Sequence, residues 1–398
     1  MKTVLKAFLL FVLIIPFTTY SQKPFSFNQG GTKSTAYLSV IDYKMVKGKV
    51  IVKVSINDKV HDFILDTGAP TIITQKLFDE LQPPSLTSLE VSDQSGLKNN
   101  MQVVSLPSIT FGNVTFNDIP TLVSNEALIF DCFKVDGFIG SNLLRNSILQ
   151  FLPANHTIIL TDTPKKLQLQ KKYRSKMSFN DIQSSPHIWI DMRNGKNEAR
   201  EQLLFDSGMD SFYDLSLTAY NTFRQHPIFE EVSKAHGSYS MGIHGTAENM
   251  EQYKLRIPEL SINGVLFKKL TVYTTNDRIS RIGTEIFKYG NVTLDYKNKY
   301  FYFEPKSETV VDLNEKSLPF KAVLLENKLV IGIIWNDMLA KEINLGDEIM
   351  NFMDINYGEM EICSIITADR IEGKDTAMSL TVKDKNDGSL KTVEVNNE

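Results

Sequence analysis

Phe63-Ile64-Leu65-Asp66-Thr67-Gly68-Ala69 decides how this chain is read, because it returns in altered form as Leu203-Leu204-Phe205-Asp206-Ser207-Gly208-Met209. Each stretch is an apolar strand end that runs into Asp, a small hydroxyl residue and Gly. A carboxylate at the tip of a buried strand is costly unless something uses or satisfies it. Two of them, 140 positions apart, point to a pair.

The frame around them repeats. Val50-Ile51-Val52-Lys53-Val54-Ser55-Ile56 is rich in β-branched residues, turns at Asn57-Asp58-Lys59 and returns over residues 60–65, which predicts a hairpin feeding Asp66. His187-Ile188-Trp189-Ile190-Asp191-Met192, the turn Asn194-Gly195 and residues 202–205 predict the same ahead of Asp206, since Asn and Gly both tolerate positive φ. Downstream, residues 106–112 read like residues 257–264, each a strand entering a Gly turn. Phe138-Ile139-Gly140 and Arg281-Ile282-Gly283 follow, with Gly140 74 residues after Asp66 and Gly283 77 after Asp206. Each opens a short helical stretch (141–144, 284–287) and leads to a closing hairpin (148–160, 292–303). Between Asp and Gly, each copy carries a hairpin tip, Ser92-Asp93-Gln94-Ser95-Gly96 and the Gly-rich segment 236–245. Such tips are surface turns or flaps over a cleft. The order of parts predicts two β-lobes of common design.

Paired carboxylates carry a specific chemistry. Their repulsion stops both from ionising together, so one accepts a proton from water while the other, protonated, hydrogen-bonds a carbonyl. Thr67 and Ser207 are placed to hydrogen-bond across to the opposite loop, and Gly68 and Gly208 let the backbone pass close. One Asp-x-Gly is a common turn. Its duplication within a shared frame is the stronger signal.

On Ile64-Leu65-Asp66-Thr67-Gly68-Ala69 with Phe138-Ile139-Gly140, and Leu204-Phe205-Asp206-Ser207-Gly208 with Arg281-Ile282-Gly283, the chain resembles the pepsin/retropepsin superfamily of aspartic proteases over roughly residues 37–305. The resemblance implies a mainly β, two-lobed acid-protease fold with lobes at 37–165 and 166–308. It implies Asp66 and Asp206 as a catalytic dyad activating water, supported by Thr67, Gly68, Ser207 and Gly208. It implies a polypeptide substrate and neither cofactor nor metal. Four residues depart from the pattern. Ser207 makes the second loop Asp-Ser-Gly, a mild change that keeps the hydroxyl. Arg281 stands where an apolar residue is usual. Ala69 and Met209 stand where pepsins usually carry a hydroxyl that favours the ionised dyad, and its loss raises the pair's pKa. Activity is therefore expected at mildly acidic to neutral pH.

After residue 305 the character changes. Residues 309–398 resemble a PDZ domain, on residues 329–335, Asp337-Met338-Leu339-Ala340 and Leu345-Gly346-Asp347-Glu348-Ile349. This implies a small α+β domain binding an extended peptide by strand addition. No clear Gly-rich carboxylate loop precedes its second strand.

At the other end, Lys2 and Lys6, an apolar run over 7–17 and Thr18-Thr19-Tyr20-Ser21 predict a signal peptide over 1–21 and export to the periplasm or the medium. The run has 11 residues, against the roughly 20 that a membrane span needs. Residues 22–36 read as a polar, irregular leader. Net charge is −4 with no basic block, which gives no sign of nucleic acid binding. Cys132 and Cys363 lie far apart without metal-ligand spacing and read as buried small hydrophobes, so no disulfide framework is expected. No Gly-x-Ser-x-Gly or His-Glu-x-x-His signature occurs. The sequence thus predicts an exported aspartic endopeptidase, a monomer in which both Asp residues lie in one chain and dimerisation is not required. The rival is a catalytically silent protein that holds peptides in the same cleft and in the PDZ-like domain; a third reading pairs each lobe with its twin in another chain.

Overall fold

The duplicated hairpins organise the chain. In the computed structural model, which describes residues 25–93, 95–238, 240–314, 316–368 and 377–398, the fold is mainly β. The predicted signal peptide, residues 1–21, lies outside the described residues. Lys49–Ile56 and Lys59–Asp66 form the hairpin before Asp66, and Pro186–Asn194 and Asn197–Phe205 form the one before Asp206.

Each hairpin starts a sheet that closes on itself. In the first, Lys49–Ile56, Lys59–Asp66, Gly137–Gly140, Ile72–Thr74, Val114–Ser124 and Lys98–Phe111 are neighbours in that order, and the last pairs back onto the first. In the second, Pro186–Asn194, Asn197–Phe205, Arg281–Ile282, Tyr213–Ser216, Val265–Thr275 and Met250–Ile262 repeat the order and the closure. Closure satisfies backbone groups that an open edge would leave unpaired. The parallel pairing of each Asp strand with its Gly segment, Asp66 opposite Gly140 and Phe205 opposite Ile282, brings distant stretches of chain together at each loop.

The two halves are not separate at their base. The sequence assigns one closing hairpin to each copy, but Gly290–Asp295 pairs with Ile148–Leu152, so both hairpins belong to one sheet together with Leu38–Val46. A two-stranded hairpin is marginal alone. Here Leu149, Phe151, Val292 and Leu294 are all fully buried, and one apolar cluster runs from Tyr37 to Leu313 through both halves. The expected irregular leader is also anchored. The Phe27 ring is buried, its N–H donates to the Ile182 carbonyl at 2.8 Å, and Gly31 pairs with Asn117. The two aromatic residues of that stretch, Phe25 and Phe27, outweigh its polar composition by packing edge to face with ring centroids 5.2 Å apart.

The last strands form a six-stranded sheet of their own, with Phe320–Leu325, Lys328–Ile334, Glu348–Phe352, Met378–Lys383 and Leu390–Val395 in that order and Ile355–Asn356 beside the third. Its core, built on Phe320, Ile349, Phe352 and Leu380, is distinct from that of the preceding sheets. It touches the rest through the hairpin tip of the second half. Ser233 Oγ donates to Trp335 O at 2.7 Å, Ser238 N donates to Gly332 O at 2.9 Å, and Thr246 Oγ1 donates to Leu324 O.

Cys132 and Cys363 correct the sequence reading: they form a disulfide across a sequence separation of 231. Sequence distance conceals that the helices Leu128–Phe133 and Ile362–Thr367 pack together, which brings the two Cα atoms to 4.6 Å. A cross-link closing so long a loop restrains the unfolded chain, by up to about 5 kcal/mol. Cys363→Ser is therefore expected to lower Tm by several degrees, and a reductant is expected to lower Tm of the native chain to the same value. Calorimetry with and without reductant checks this; an unchanged Tm in the variant would show that the bridge adds nothing.

Candidate active site

The two Asp loops meet. Thr67 Oγ1 donates to Phe205 O at 2.7 Å and accepts from Ser207 N at 3.0 Å. Ser207 Oγ donates to Leu65 O at 2.8 Å and accepts from Thr67 N at 3.0 Å. Both hydroxyls are completely buried. Each bond is worth about 1 kcal/mol net, but a buried hydroxyl left without its partner costs about 1–3 kcal/mol. The four bonds therefore hold the loops in one register. Each loop is also tied to the segment that its Gly introduces. Ser141 Oγ donates to Thr67 O at 2.6 Å and meets Tyr296 Oη at 3.0 Å, and Thr284 Oγ1 donates to Gly48 O at 2.6 Å and to Met209 O at 3.1 Å.

This crossing brings the carboxyl groups together. Asp66 Oδ1 accepts from Gly68 N at 2.8 Å and Ala69 N at 3.0 Å, and Asp206 Oδ1 accepts from Gly208 N at 2.9 Å. A Cβ placed on Gly68 would overlap the Asp206 carboxyl, and one on Gly208 would overlap that of Asp66. Glycine is required at both positions for this close approach. The sequence-predicted residues Asp66, Thr67, Gly68, Asp206, Ser207 and Gly208 thus lie in one place. They line or underlie a cleft of 1870 Å³ that also takes in Ile72, Leu122 and Phe138 on one side and extends to Leu324 and Ile365 of the last sheet. The hairpin tips of the two halves touch at this cleft, where His244 N donates to Asp93 Oδ2 at 2.7 Å.

Burial pushes the Asp66 carboxyl up to about 7, and the neighbouring Asp206 charge adds to the shift. Lys49 and the Gly68 N–H oppose it. The Lys49 ammonium donates to the Gly208 carbonyl at the edge of the pair.

Arg281 is the residue whose position the sequence did not foretell. Its apolar counterpart in the first half is Phe138, opposite Ile64; Arg281 stands opposite Leu204. Its guanidinium reaches the site. Nη1 donates to Asp206 Oδ2 at 2.5 Å, and Nε donates to Asp277 Oδ2 at 2.5 Å. Burial works against the guanidinium charge, but Asp206 and Asp277 more than offset it and hold the group more firmly protonated than usual. The visible signal was Arg in an apolar-apolar-Gly segment with Asp four residues earlier. Lys49 gave none. Among the described residues no group of three or more His, Cys, Asp or Glu side chains could hold a metal ion, and no helix is long and apolar enough to cross a membrane.

Among solved structures, conglutin gamma, a basic 7S globulin from lupine seeds, is 11% identical, with TM-score 0.40 over 68% of this chain and 95% of that one. Basic 7S globulin from soybean is 9% identical, with TM-score 0.38 over 67% and 94%. A retropepsin-like aspartic protease from Rickettsia conorii is 20% identical, with TM-score 0.23 over 32% of this chain and 94% of that one. No curated protein matches the chain. The sequence model of the aspartyl protease family matches residues 52–143, the stretch that contains Asp66, Thr67, Gly68 and Gly140.

Proposed function

We propose that the chain is an aspartic endopeptidase in which Asp66 and Asp206 activate a water for attack on a peptide bond. The carrying observation is the reciprocal bonding of Thr67 and Ser207, which sets two carboxyl groups side by side at the floor of a cleft. One carboxylate takes a proton from water as its oxygen adds to the scissile carbonyl carbon. The other, protonated, hydrogen-bonds the carbonyl oxygen as charge develops there. The aspartyl protease match over residues 52–143 supports the first half of this site, and the repeated strand order supports a two-lobed pepsin-like arrangement for both halves.

Residues 309–398 are, in this reading, a PDZ-like domain that presents peptides to the cleft, with which its groove residues Leu324, Leu329 and Ile365 are continuous. Export through the segment 1–21 fits the Cys132–Cys363 disulfide, a bond that persists in oxidising compartments. A monomer suffices, since one chain supplies both carboxyls.

The rival is a silent peptide-binding protein of the same fold, and one observation favours it: Asp206 is already engaged by Arg281. Single Asp66→Asn and Asp206→Asn variants, assayed on a mixed peptide library, separate the two. Each is expected to lose cleavage by at least about 100-fold, while a transition-state-analogue inhibitor of aspartic proteases blocks the native chain. Full cleavage by either variant would exclude the dyad, and peptide binding without turnover would establish the rival.

The pH dependence follows from Asp66. Its carboxyl must carry the proton, and that proton leaves as pH rises through about 7. Cleavage is therefore expected to be sustained in mild acid and to fall above neutrality. A kcat/KM profile with its optimum near pH 2 would contradict this.

A further inference from the structure

We propose that Arg281 is a positioning residue that fixes Asp206 as the charged member of the carboxyl pair and so leaves the shared proton on Asp66; its catalytic consequence rests on the peptidase reading above. Two carboxyl groups side by side share one proton, and in a symmetric pair neither owns it. This pair is not symmetric. The backbone frame is the same in both halves, but the side chain that projects from the Gly segment differs: Phe138 faces the Asp66 half and Arg281 the Asp206 half.

The geometry gives Arg281 one role. Nη1 lies 2.5 Å from Asp206 Oδ2, and the guanidinium is pinned from its other side by Asp277 at 2.5 Å. All three side chains are largely buried, with relative exposures of 18% for Arg281, 5% for Asp206 and 14% for Asp277. A guanidinium offers only donors, so the oxygen that it contacts must be an acceptor, and a carboxylate meets that need better than a carboxylic acid. Asp277 stops the cation from swinging out to water. The other charged and titratable groups around the pair do not cancel this bias. Lys49, which contacts the Gly208 carbonyl, and the Gly68 N–H pull Asp66 toward the carboxylate, but burial and the Asp206 charge outweigh them; Tyr296 stands behind the Asp66 loop through Ser141, and His187 lies near Arg281 with burial and that cation both favouring its neutral form.

The assignment orders the reaction. A water O–H bond breaks, its proton passes to the Asp206 carboxylate, and the oxygen bonds to the scissile carbon. The carbonyl π electrons move to oxygen, which takes the proton of Asp66. The C–N bond then breaks, the proton on Asp206 goes to the leaving amine, and Asp66 recovers its proton as the carbonyl re-forms. Asp206 is the base and Asp66 the acid, and the pair ends as it began. Asp206 takes the incoming proton on a carboxylate that the Gly208 N–H and Arg281 Nη1 hold in place.

The test uses the full chain with Arg281→Met, Arg281→Lys and Asp277→Asn. Aspartate labelled with carbon-13 at the side-chain carboxyl is followed by NMR against pH, with resonances assigned through Asp66→Asn and Asp206→Asn. In the native chain the Asp66 signal is expected at the carboxylic-acid position and that of Asp206 at the carboxylate position in mild acid. In Arg281→Met the Asp206 signal is expected to move toward the acid position. On a cleaved peptide, the same variant is expected to lose roughly 100-fold in kcat, with KM changed less than about three-fold. Its acid limb should rise by about 1–3 pH units. Arg281→Lys should restore part of both, and Asp277→Asn, which leaves the guanidinium in place, should shift them in the same direction by less. A proton found on Asp206 in the native chain, or an Arg281→Met chain with unchanged profile and equal or higher kcat, would overturn the assignment. If the NMR result holds and no form cleaves, the peptidase reading fails and the Arg281 assignment stands. If cleavage needs both Asp residues and ignores Arg281, the assignment fails and the reading stands.

Discussion

The four hydrogen bonds exchanged between Thr67 and Ser207 are the constraint on which the rest depends. They join two strand ends, Leu65 and Phe205, that belong to different closed sheets. A hydroxyl donates to the opposite carbonyl and accepts from the opposite N–H through one small atom. That is why Ser207 makes the same two bonds as Thr67, while the Gly that follows each must lack a Cβ because the opposite carboxyl occupies its place. Once the crossing is made, the carboxyls have no freedom to move apart, and their burial and mutual repulsion become fixed features of the site.

The cost of holding two carboxyls in a poorly solvated place is met differently in the two halves. Around Asp66, burial and the neighbouring Asp206 charge favour the protonated form, against the pull of Lys49 and of the Gly68 N–H toward the carboxylate. Around Asp206 the remedy is a cation, itself held by a second carboxylate. A buried carboxylate left without a partner is strongly destabilising, so the backbone symmetry of the halves and the chemical asymmetry of their side chains are compatible. Duplication sets the frame, and one position in it, Phe138 against Arg281, sets the difference.

Much of this was legible in the sequence, and for a physical reason. Hairpins, Asp loops and Gly segments are written in short local patterns: alternation, β-branching and turn residues. Residues 50–65 and 187–205 announce strands whatever surrounds them. What was not legible depends on contacts between distant segments. Nothing local says that residues 290–295 pair with 148–152, that Phe27 is buried with its N–H on the Ile182 carbonyl, or that Cys132 finds Cys363. Arg281 falls between these cases. It was visible as a misfit in an apolar slot, but its meaning required Asp206 and Asp277 to be placed around it.

The same distinction explains the last sheet. Its own strands are local and were expected, but its effect on the cleft is a long-range one. Hairpin tips at a cleft are ordinarily among the least stable parts of a fold, because few buried contacts hold them. Here the tip of the second half donates from Ser238 N, and the strand leading to it from Ser233 Oγ, into the last sheet, and the tip meets that of the first half at Asp93. The disulfide then fastens the helix Ile362–Thr367 to Leu128–Phe133 in the first half. The last sheet therefore grips both halves at once, on the side where the cleft opens. The tips meet through more than the one Asp93 bond: Gly242 sits against Asp93, Gly245 against Leu97, and His244 Nδ1 lies 3.8 Å from Glu126 Oε1. Parting the tips therefore breaks several contacts at once and pulls against a sheet that is covalently anchored, so the tips are held over the crossed loops that position Asp66 and Asp206.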